Sequence, residues 1–487
     1  MSVASSDRRR VVITGLGLIS PLGSTPAALW SALAAGQSGV ATISLLPADR
    51  QPLKYAGEAR QFSGEIDDFG PLEKDRKKAI KKGLKVMCRE TRMAVAAAQL
   101  ALADAGFAEK RGHSTFSEAA PPDEPISATE KVECPLFSPE AFGVVLGSDY
   151  MLTMPEDYEA GMRKCADAGD FEFARWGIEG LDQMTPLWML KYLPNMPASH
   201  VAIYNDLRGP NNSLTMREAA SNLAIGEAFR TIRRSHANAM LAGATGTRIL
   251  PMQAIHALQT EQMAAENCDP TKASRPFDRD RTGMVAGEGA GMVVLEELSS
   301  AKARGATIYA EIVGLGSSNV ADAQRAGPSS APELRGQCDV ALRQAMVAAL
   351  RDAGAKPADV GHIAAHGLGT VDRDADESRA IREVFGALAD NVPVAAPKSN
   401  FGNLGAGSGA VELIASVLAL GEGRLPRVLN YETPDPACPL AVVADDATPA
   451  GRSFLNLSVT PQGQAAVLYV AAVTGHGLVG NVAAGWC

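Results

Sequence analysis

Disulfide-forming and metal-binding patterns are missing from this chain of 487 residues. Its seven cysteines (Cys88, Cys134, Cys165, Cys268, Cys338, Cys438 and Cys487) are scattered without a Cys-x-x-Cys pair. That excludes a disulfide framework and a structural zinc site, and suits free thiols in a reducing compartment. None stands at the tight strand-to-helix turn that a nucleophile needs, and no His/Cys/Asp cluster has metal-ligand spacing. Long hydrophobic runs are missing too. No stretch of about 18 apolar residues is free of charge, and the best candidate, residues 406–420, is interrupted by Glu412. The first ten residues are polar and then triply basic, and they run into Val11-Val-Ile-Thr without the apolar core of a secretory leader. A cytoplasmic protein with no membrane partner is expected. The net charge of −9 argues against a nucleic-acid partner.

Glycine and small apolar residues are plentiful. Hydrophobic residues at 46% supply a large core, the length fits two or three domains, and 47 glycines favour close packing of helices on sheets. The chain also repeats itself. Ala101-Leu-Ala-Asp-Ala-Gly recurs as Ala349-Leu-Arg-Asp-Ala-Gly, and each copy precedes a short apolar strand, Phe142-Gly-Val-Val-Leu-Gly and Val360-Gly-His-Ile-Ala-Ala. Each half then shows a Gly/Asn-rich turn feeding an Ala-rich helix, from 209 to about 233 and from 398 to about 420. Strands alternating with helices predict an α/β protein of two related halves. The halves are placed at 10–260 and 261–474, followed by a tail at 475–487. The first half carries two insertions: a Ser/Pro/Glu-rich loop at 111–135, and a segment at 149–200 whose Trp176, Trp188 and Met189 predict a packed cap.

Gly15-Leu-Gly-Leu-Ile-Ser20 after a strand imitates a dinucleotide fingerprint. Its third glycine is Ser20, Pro21 follows, and no acidic residue closes a second strand at the right distance, so no cofactor is expected. The more informative segments are Arg10-Val-Val-Ile-Thr-Gly-Leu-Gly-Leu-Ile-Ser-Pro-Leu-Gly, Gly209-Pro-Asn-Asn-Ser-Leu-Thr-Met-Arg-Glu218-Ala-Ala-Ser-Asn-Leu-Ala-Ile-Gly, Ser274-Arg-Pro-Phe-Asp, Gly283-Met-Val-Ala-Gly-Glu-Gly-Ala-Gly, Ala365-His-Gly-Leu-Gly-Thr, Asp374-Ala-Asp-Glu377 and Lys398-Ser-Asn-Phe-Gly-Asn403. In this order they resemble the type II β-ketoacyl-acyl-carrier-protein synthases, thiolase-like condensing enzymes, over roughly residues 10–472. The resemblance implies an α/β, thiolase-like five-layer αβαβα fold made of two pseudo-duplicated halves.

It also implies an altered site. In that family a cysteine parks the acyl chain and two histidines stabilise the enolate formed as carbon dioxide leaves. The cysteine position falls on Glu218, and the second histidine on Asn403, which donates a hydrogen bond but cannot titrate. His366 matches the first histidine, Lys398 the lysine that orders the site, and Asp374 and Glu377 the acidic residues that usually pair with that lysine. The family's glycine-rich gate stands here as Thr460-Pro-Gln-Gly-Gln-Ala. Glu218 reads as a helix-terminus carboxylate, as a mimic of an occupied acyl site, or as a catalytic group. The expected role is a chain-length-factor-like subunit, unable to condense alone. It would act with an acyl carrier protein, either as a homodimer or as a heterodimer with a cysteine-bearing synthase. The alternatives are a thioester-processing enzyme (a malonyl decarboxylase or a hydratase/dehydratase) using Glu218 and His366, or a module that only binds carrier protein. Lys77, Lys78, Lys81 and Lys82, within nine basic residues between 74 and 92, are the candidate docking face for an acidic carrier protein. A solvated helix is the alternative.

Overall fold

A computed structural model of the chain describes residues 9–45, 53–107, 137–167, 169–266, 269–321 and 337–473. The insertion at 111–135, the tail at 475–487, and Cys134, Cys268 and Cys487 lie outside these described residues.

Ten strands form the sheet system: β1 Val11–Ile19, β2 Phe142–Ser148, β3 Asn211–Thr215, β4 Ala239–Thr247, β5 Glu288–Glu297, β6 Ala310–Asn319, β7 His362–Ala364, β8 Val394–Ala395, β9 Ser453–Val459 and β10 Gln464–Ala471. The first five run in the order β1-β5-β4-β2-β3 and the second five in the order β6-β10-β9-β7-β8, which is the same topology twice. Orientations match as well. In each set the first two pairings are antiparallel and the last two parallel. The sets meet where β1 pairs antiparallel with β6 through Val11, Val12 and Ile13. Because β5 completes the first set, the halves divide between β5 and β6, not at 260/261.

The helices that matter are α1 Lys74–Gly83, α2 Arg89–Asp104, α3 Ala220–Arg233, α4 Pro251–Thr260, α5 Cys338–Ala353, α6 Val371–Phe385 and α7 Ser408–Glu422. Helix α2 covers the outer face of the first set and α5 that of the second, while α3 and α7 lie between the two sheets. The result is the five-layer thiolase-like fold. Helix α7 is buried from Ser408 to Leu420 on every side, as a core helix that is apolar all round must be. This is the stretch that came closest to a membrane span in the sequence. No helix among the described residues is long and apolar enough to cross a membrane.

Both repeated texts have a physical reason. Helices α2 and α5 ride so close to their sheets that a side chain on the strand has no room. A Cβ on Gly17 would lie 2.1 Å from the Ala97 carbonyl oxygen, and one on Gly316 would lie 1.9 Å from that of Ala345. Gly15-Leu-Gly and Gly314-Leu-Gly are therefore packing devices in buried strands. Just before them, β1 slips register between Ile13 and Gly15, and β6 between Ile312 and Gly314. The strands part there, and the aspartate of each Asp-Ala-Gly repeat takes up a released N–H. Asp104 Oδ2 accepts from Leu16 N at 2.8 Å, and Asp352 Oδ2 accepts from Leu315 N at 3.1 Å. A buried donor without such an acceptor would carry its full desolvation cost.

The segment at 149–200 departs from the expected packed cap. Trp176 and Trp188 are half-buried, but Phe173, Ile178 and Leu187 are 77%, 79% and 70% exposed. The segment buries part of its apolar surface against this chain and presents the rest outward. Gly316→Ala is expected to destabilise the fold by about 1–3 kcal/mol, the usual cost of over-packing, read from the denaturant midpoint. An unchanged midpoint would mean that α5 can shift outward freely.

Candidate active site

Three loops at equivalent ends of the two halves deliver the candidate residues. After β3 the chain makes a tight turn in which Arg217 adopts φ +48°, then a helical turn at Arg217–Ala219 places Glu218 before α3. In the second half a short helix, Lys398–Phe401, and Gly402 place Asn403 before α7. His366 follows β7, and its backbone N–H and that of Gly367 donate to the two carboxylate oxygens of Glu377, at 2.6 and 2.8 Å.

The turns meet. Asn403 Nδ2 donates to Glu218 Oε1 at 3.2 Å, and Asn403 Oδ1 accepts from Gly405 N and Ser408 Oγ, both at 3.1 Å. The amide is therefore oriented, with its oxygen tied to the start of α7 and its nitrogen facing the carboxylate. Lys398 Nζ lies 3.4 Å from His366 Nδ1 and donates to the His366 carbonyl at 2.7 Å. Glu218, His366, Lys398 and Asn403 are 2%, 4%, 2% and 1% exposed, so this centre is closed to solvent.

The principal partners of Glu218 carry no local sequence signal. Arg248, at the end of β4, donates from Nη2 to Glu218 Oε1 at 2.5 Å and lies 3.0 Å from Asp149 Oδ2. Arg217 Nε is 3.5 Å from Glu218 Oε2, and its Nη2 reaches Glu261 just beyond α4. Burial by itself would push the Glu218 carboxyl up, but the Arg248 and Arg217 guanidiniums outweigh it and hold the group well below the usual carboxylate range. The two guanidiniums are the main reason Glu218 stays ionised. Two arginines face three carboxylates here (Glu218, Asp149 and Glu261), and burial pushes Glu261 up. A further anion would find no surplus positive charge.

The partner expected for Lys398 is also different. Glu412, from the second turn of α7, pairs with Lys398 Nζ in full burial. Glu377 instead grips the His366–Gly367 backbone. Asp374 accepts from Phe277 N at 2.8 Å and Gly369 N at 3.0 Å, beside Arg281 at 3.4 Å. Burial raises Glu377 to about 7 and Asp374 to about 6. Burial and the adjacent Lys398 push His366 well below its ordinary value, so its imidazole is neutral near pH 7. A neutral His366 can still donate one N–H to a carbonyl oxygen but brings no positive charge or spare proton to it, and a carboxylate held far below neutrality is a poor general base.

The nine basic residues at 74–92 divide. Arg76 is buried; Arg89 pairs with the buried Glu288; Arg92 donates to the Met87 and Leu84 carbonyls. Lys74, Lys77, Lys78, Lys81, Lys82 and Lys85 remain exposed on and beside α1, with Lys77 bonded to Asp67 at 2.9 Å. The stretch that lines up with the family's gate is the hairpin turn between β9 and β10, and its Gln462 Oε1 accepts from Arg217 Nη1 at 3.4 Å.

Comparison with known proteins agrees with this architecture. The sequence model of the beta-ketoacyl synthase N-terminal domain matches residues 8–301 and that of the C-terminal domain matches 309–432, with the gap between them falling between β5 and β6. The chain is 34% identical over 442 residues to the 3-oxoacyl-acyl-carrier-protein synthase 2 of Synechocystis sp., covering 91% of this chain and 92% of that one. It is 34% identical over 444 residues to the synthase of the same name from Coxiella burnetii, covering 91% and 93%. Among solved structures it resembles the ishigamide ketosynthase/chain length factor (TM-score 0.72, 27% identity, 96% of this chain and 100% of that one). It also resembles a type II polyketide synthase acyl-carrier protein in complex with its ketosynthase bound to the hexaketide (TM-score 0.74, 26% identity, the same coverage).

Arg248→Met tests the charge assignment. In the native protein Glu218 titrates below its unfolded value, so its contribution is present above the usual carboxylate range and fades only as pH falls through the depressed folded value. Without Arg248, burial raises Glu218 above its unfolded value of about 4.3, and the variant then gains relative stability on acidification. Denaturant unfolding is expected to show a deficit of about 3–5 kcal/mol at neutral pH, the range for breaking a buried pair. The deficit should shrink as pH falls toward about 5. A constant deficit would mean that Arg248 acts by packing alone.

Proposed function

The chain belongs to the beta-ketoacyl synthase family, and from that membership we propose that it is a chain-length-factor-like subunit of fatty-acid or polyketide-type assembly. In this reading it does not condense alone and works beside a cysteine-bearing synthase. The observation that carries the reading is the buried Glu218 carboxylate neutralised by Arg248 at 2.5 Å, at the position that the sequence resemblance lines up with the family's nucleophile. A nucleophile for condensation must take the acyl group and release it as a thioester. A carboxylate would form a reactive anhydride, and only after leaving two guanidiniums. Glu218 instead occupies the space as a permanent anion, ligated by Arg248, Arg217 and the Asn403 amide.

The thioester-processing alternative asks Glu218 to take up a proton and His366 to give one. The ion pairing of the first and the neutrality of the second both weigh against it. Pairing with a second subunit is supported by the outward apolar residues Phe173, Ile178 and Leu187 of the 149–200 segment and by β3, which ends the sheet with one edge unpaired among the described residues. Carrier-protein docking is supported by the exposed lysines of α1, a local positive face on a chain of net charge −9. The ishigamide ketosynthase/chain length factor is a structural neighbour in which both functions are named together.

Two measurements test this. Intact-mass spectrometry after incubation with acyl-acyl-carrier protein is expected to show no stable acyl adduct on the protein; an adduct mapping to any cysteine would sink the assignment of the 218 position. Reversing Lys78, Lys81 and Lys82 to glutamate is expected to weaken carrier-protein binding and flatten its dependence on salt. Unchanged affinity in a folded variant would leave α1 as a solvated helix.

A further inference from the structure

A thioester can approach the Glu218–Asn403 centre only if some part of its wall moves, since all four central residues are almost fully buried. One residue ties that wall to the carboxylate. Arg217 is a non-glycine residue at φ +48°, a left-handed conformation that a β-carbon disfavours and that persists only where the surroundings enforce it. Its side chain, 13% exposed, donates hydrogen bonds to Glu261 and Gln462 and stands in ion-pair range of Glu218. Nη2 reaches Glu261 beyond α4, Nε lies 3.5 Å from Glu218 Oε2, and Nη1 donates to Gln462 Oε1 at 3.4 Å in the turn between β9 and β10. Two further contacts pin the same turn: Arg373 Nη2 donates to the Pro461 carbonyl at 3.4 Å, and the Cys338 thiol donates to that of Thr460 at 3.4 Å. Arg248 and Asp149 complete the charged surroundings.

Resting on the reading of Glu218 as a fixed anion, we propose that Arg217 is a positioning residue that latches this wall: one guanidinium both orients the Glu218 carboxylate and holds the 460–463 turn closed across the two halves. The left-handed backbone is what aims the guanidinium at both targets. From an ordinary helical or extended φ the side chain would leave the turn in another direction. Closure of the site and placement of its central charge therefore depend on the same group. Release of Gln462 loosens the turn, leaving only the weaker Arg373 and Cys338 contacts to hold it, while Glu261 and Glu218 retain the arginine for reclosure.

The test uses the full chain with Arg217→Gly, which accepts the positive φ and removes the guanidinium, and Gln462→Ala, which removes only the acceptor on the turn. Hydrogen exchange is followed at the amides of Thr460, Gly463 and Gln464, all bonded within the turn. In both variants exchange there is expected to quicken by about tenfold, the factor implied by losing one hydrogen bond to a charged group, with α7 unchanged. The infrared band of the Glu218 carboxylate, identified by difference against Glu218→Gln, is expected to shift in Arg217→Gly and to stay in place in Gln462→Ala. Should Arg217→Gly quicken exchange throughout the chain, Gln462→Ala alone decides. Native exchange at the turn in Gln462→Ala, or an unshifted band in a folded Arg217→Gly, overturns the latch. Neither result bears on whether the protein takes an acyl adduct, so failure of the latch and failure of the subunit reading are distinguishable.

Discussion

A carboxylate withdrawn from water has to be neutralised by charge placed within a few ångströms of it, or else it takes up a proton. Glu218 meets that demand through Arg248, a side chain 1% exposed that stands at the end of a strand 30 residues away. Once Arg248 is buried it in turn needs Asp149, and Arg217 needs Glu261, so a single acidic residue commits the first half of the molecule to a closed ionic cluster. The second half solves the same problem separately, with Lys398 and Glu412 paired inside the helix layer. Buried pairs of this kind add little net stability over an apolar replacement, yet they are costly to break singly. That asymmetry makes the cluster rigid.

Rigidity at this place has a chemical consequence. Condensing chemistry requires a nucleophile that changes partners and groups that accept developing charge. Here the central anion is already bound, its neighbour Asn403 is oriented by α7, and His366 is neutral. The fold preserves the geometry in which two helix-initiating turns face each other. What the two turns enclose is an ion-paired carboxylate, Glu218, held by Arg248 and the Asn403 amide.

The duplicated topology explains why two turns so far apart in sequence meet at all. Each half sends a turn from the same end of its sheet into a buried helix, and α3 and α7 lie side by side between the sheets. The halves share one apolar core, and polar contacts also cross between them: Asn403 to Glu218, Arg217 to Gln462, and Asn222 Nδ2 to the Asn456 carbonyl at 2.9 Å. Each has one member in either half. The division between the halves therefore runs through the site.

Much of this was legible in the chain itself. The Ala-Leu-x-Asp-Ala-Gly repeat announced the duplication, because helix-on-sheet contact at the closest distance leaves room only for glycine and alanine, and because a parted strand needs an acceptor for its N–H. The two turns were readable because a Gly/Asn-rich run before an Ala-rich helix is a local signature, whereas Glu218, Asn403, His366 and Lys398 stood out only through the family resemblance of the segments that hold them. Other features had none. The half boundary was misplaced because β5 returns from a distance to complete the first sheet, and strand pairing is invisible in strand composition. The resemblance offers Asp374 and Glu377 of α6 as partners of Lys398, but the partner is Glu412, whose only sequence mark is a lone charge in an apolar helix. Arg248 and Glu261 resembled ordinary surface charges. The outward apolar face of the 149–200 segment read as core, since an exposed phenylalanine and a buried one are spelled alike. Local sequence determined the elements and their close packing, whose causes act over a few residues. Tertiary structure decided which charges face one another, because electrostatic pairing in a buried site depends on distance in space and on the exclusion of water, and neither is written along the chain.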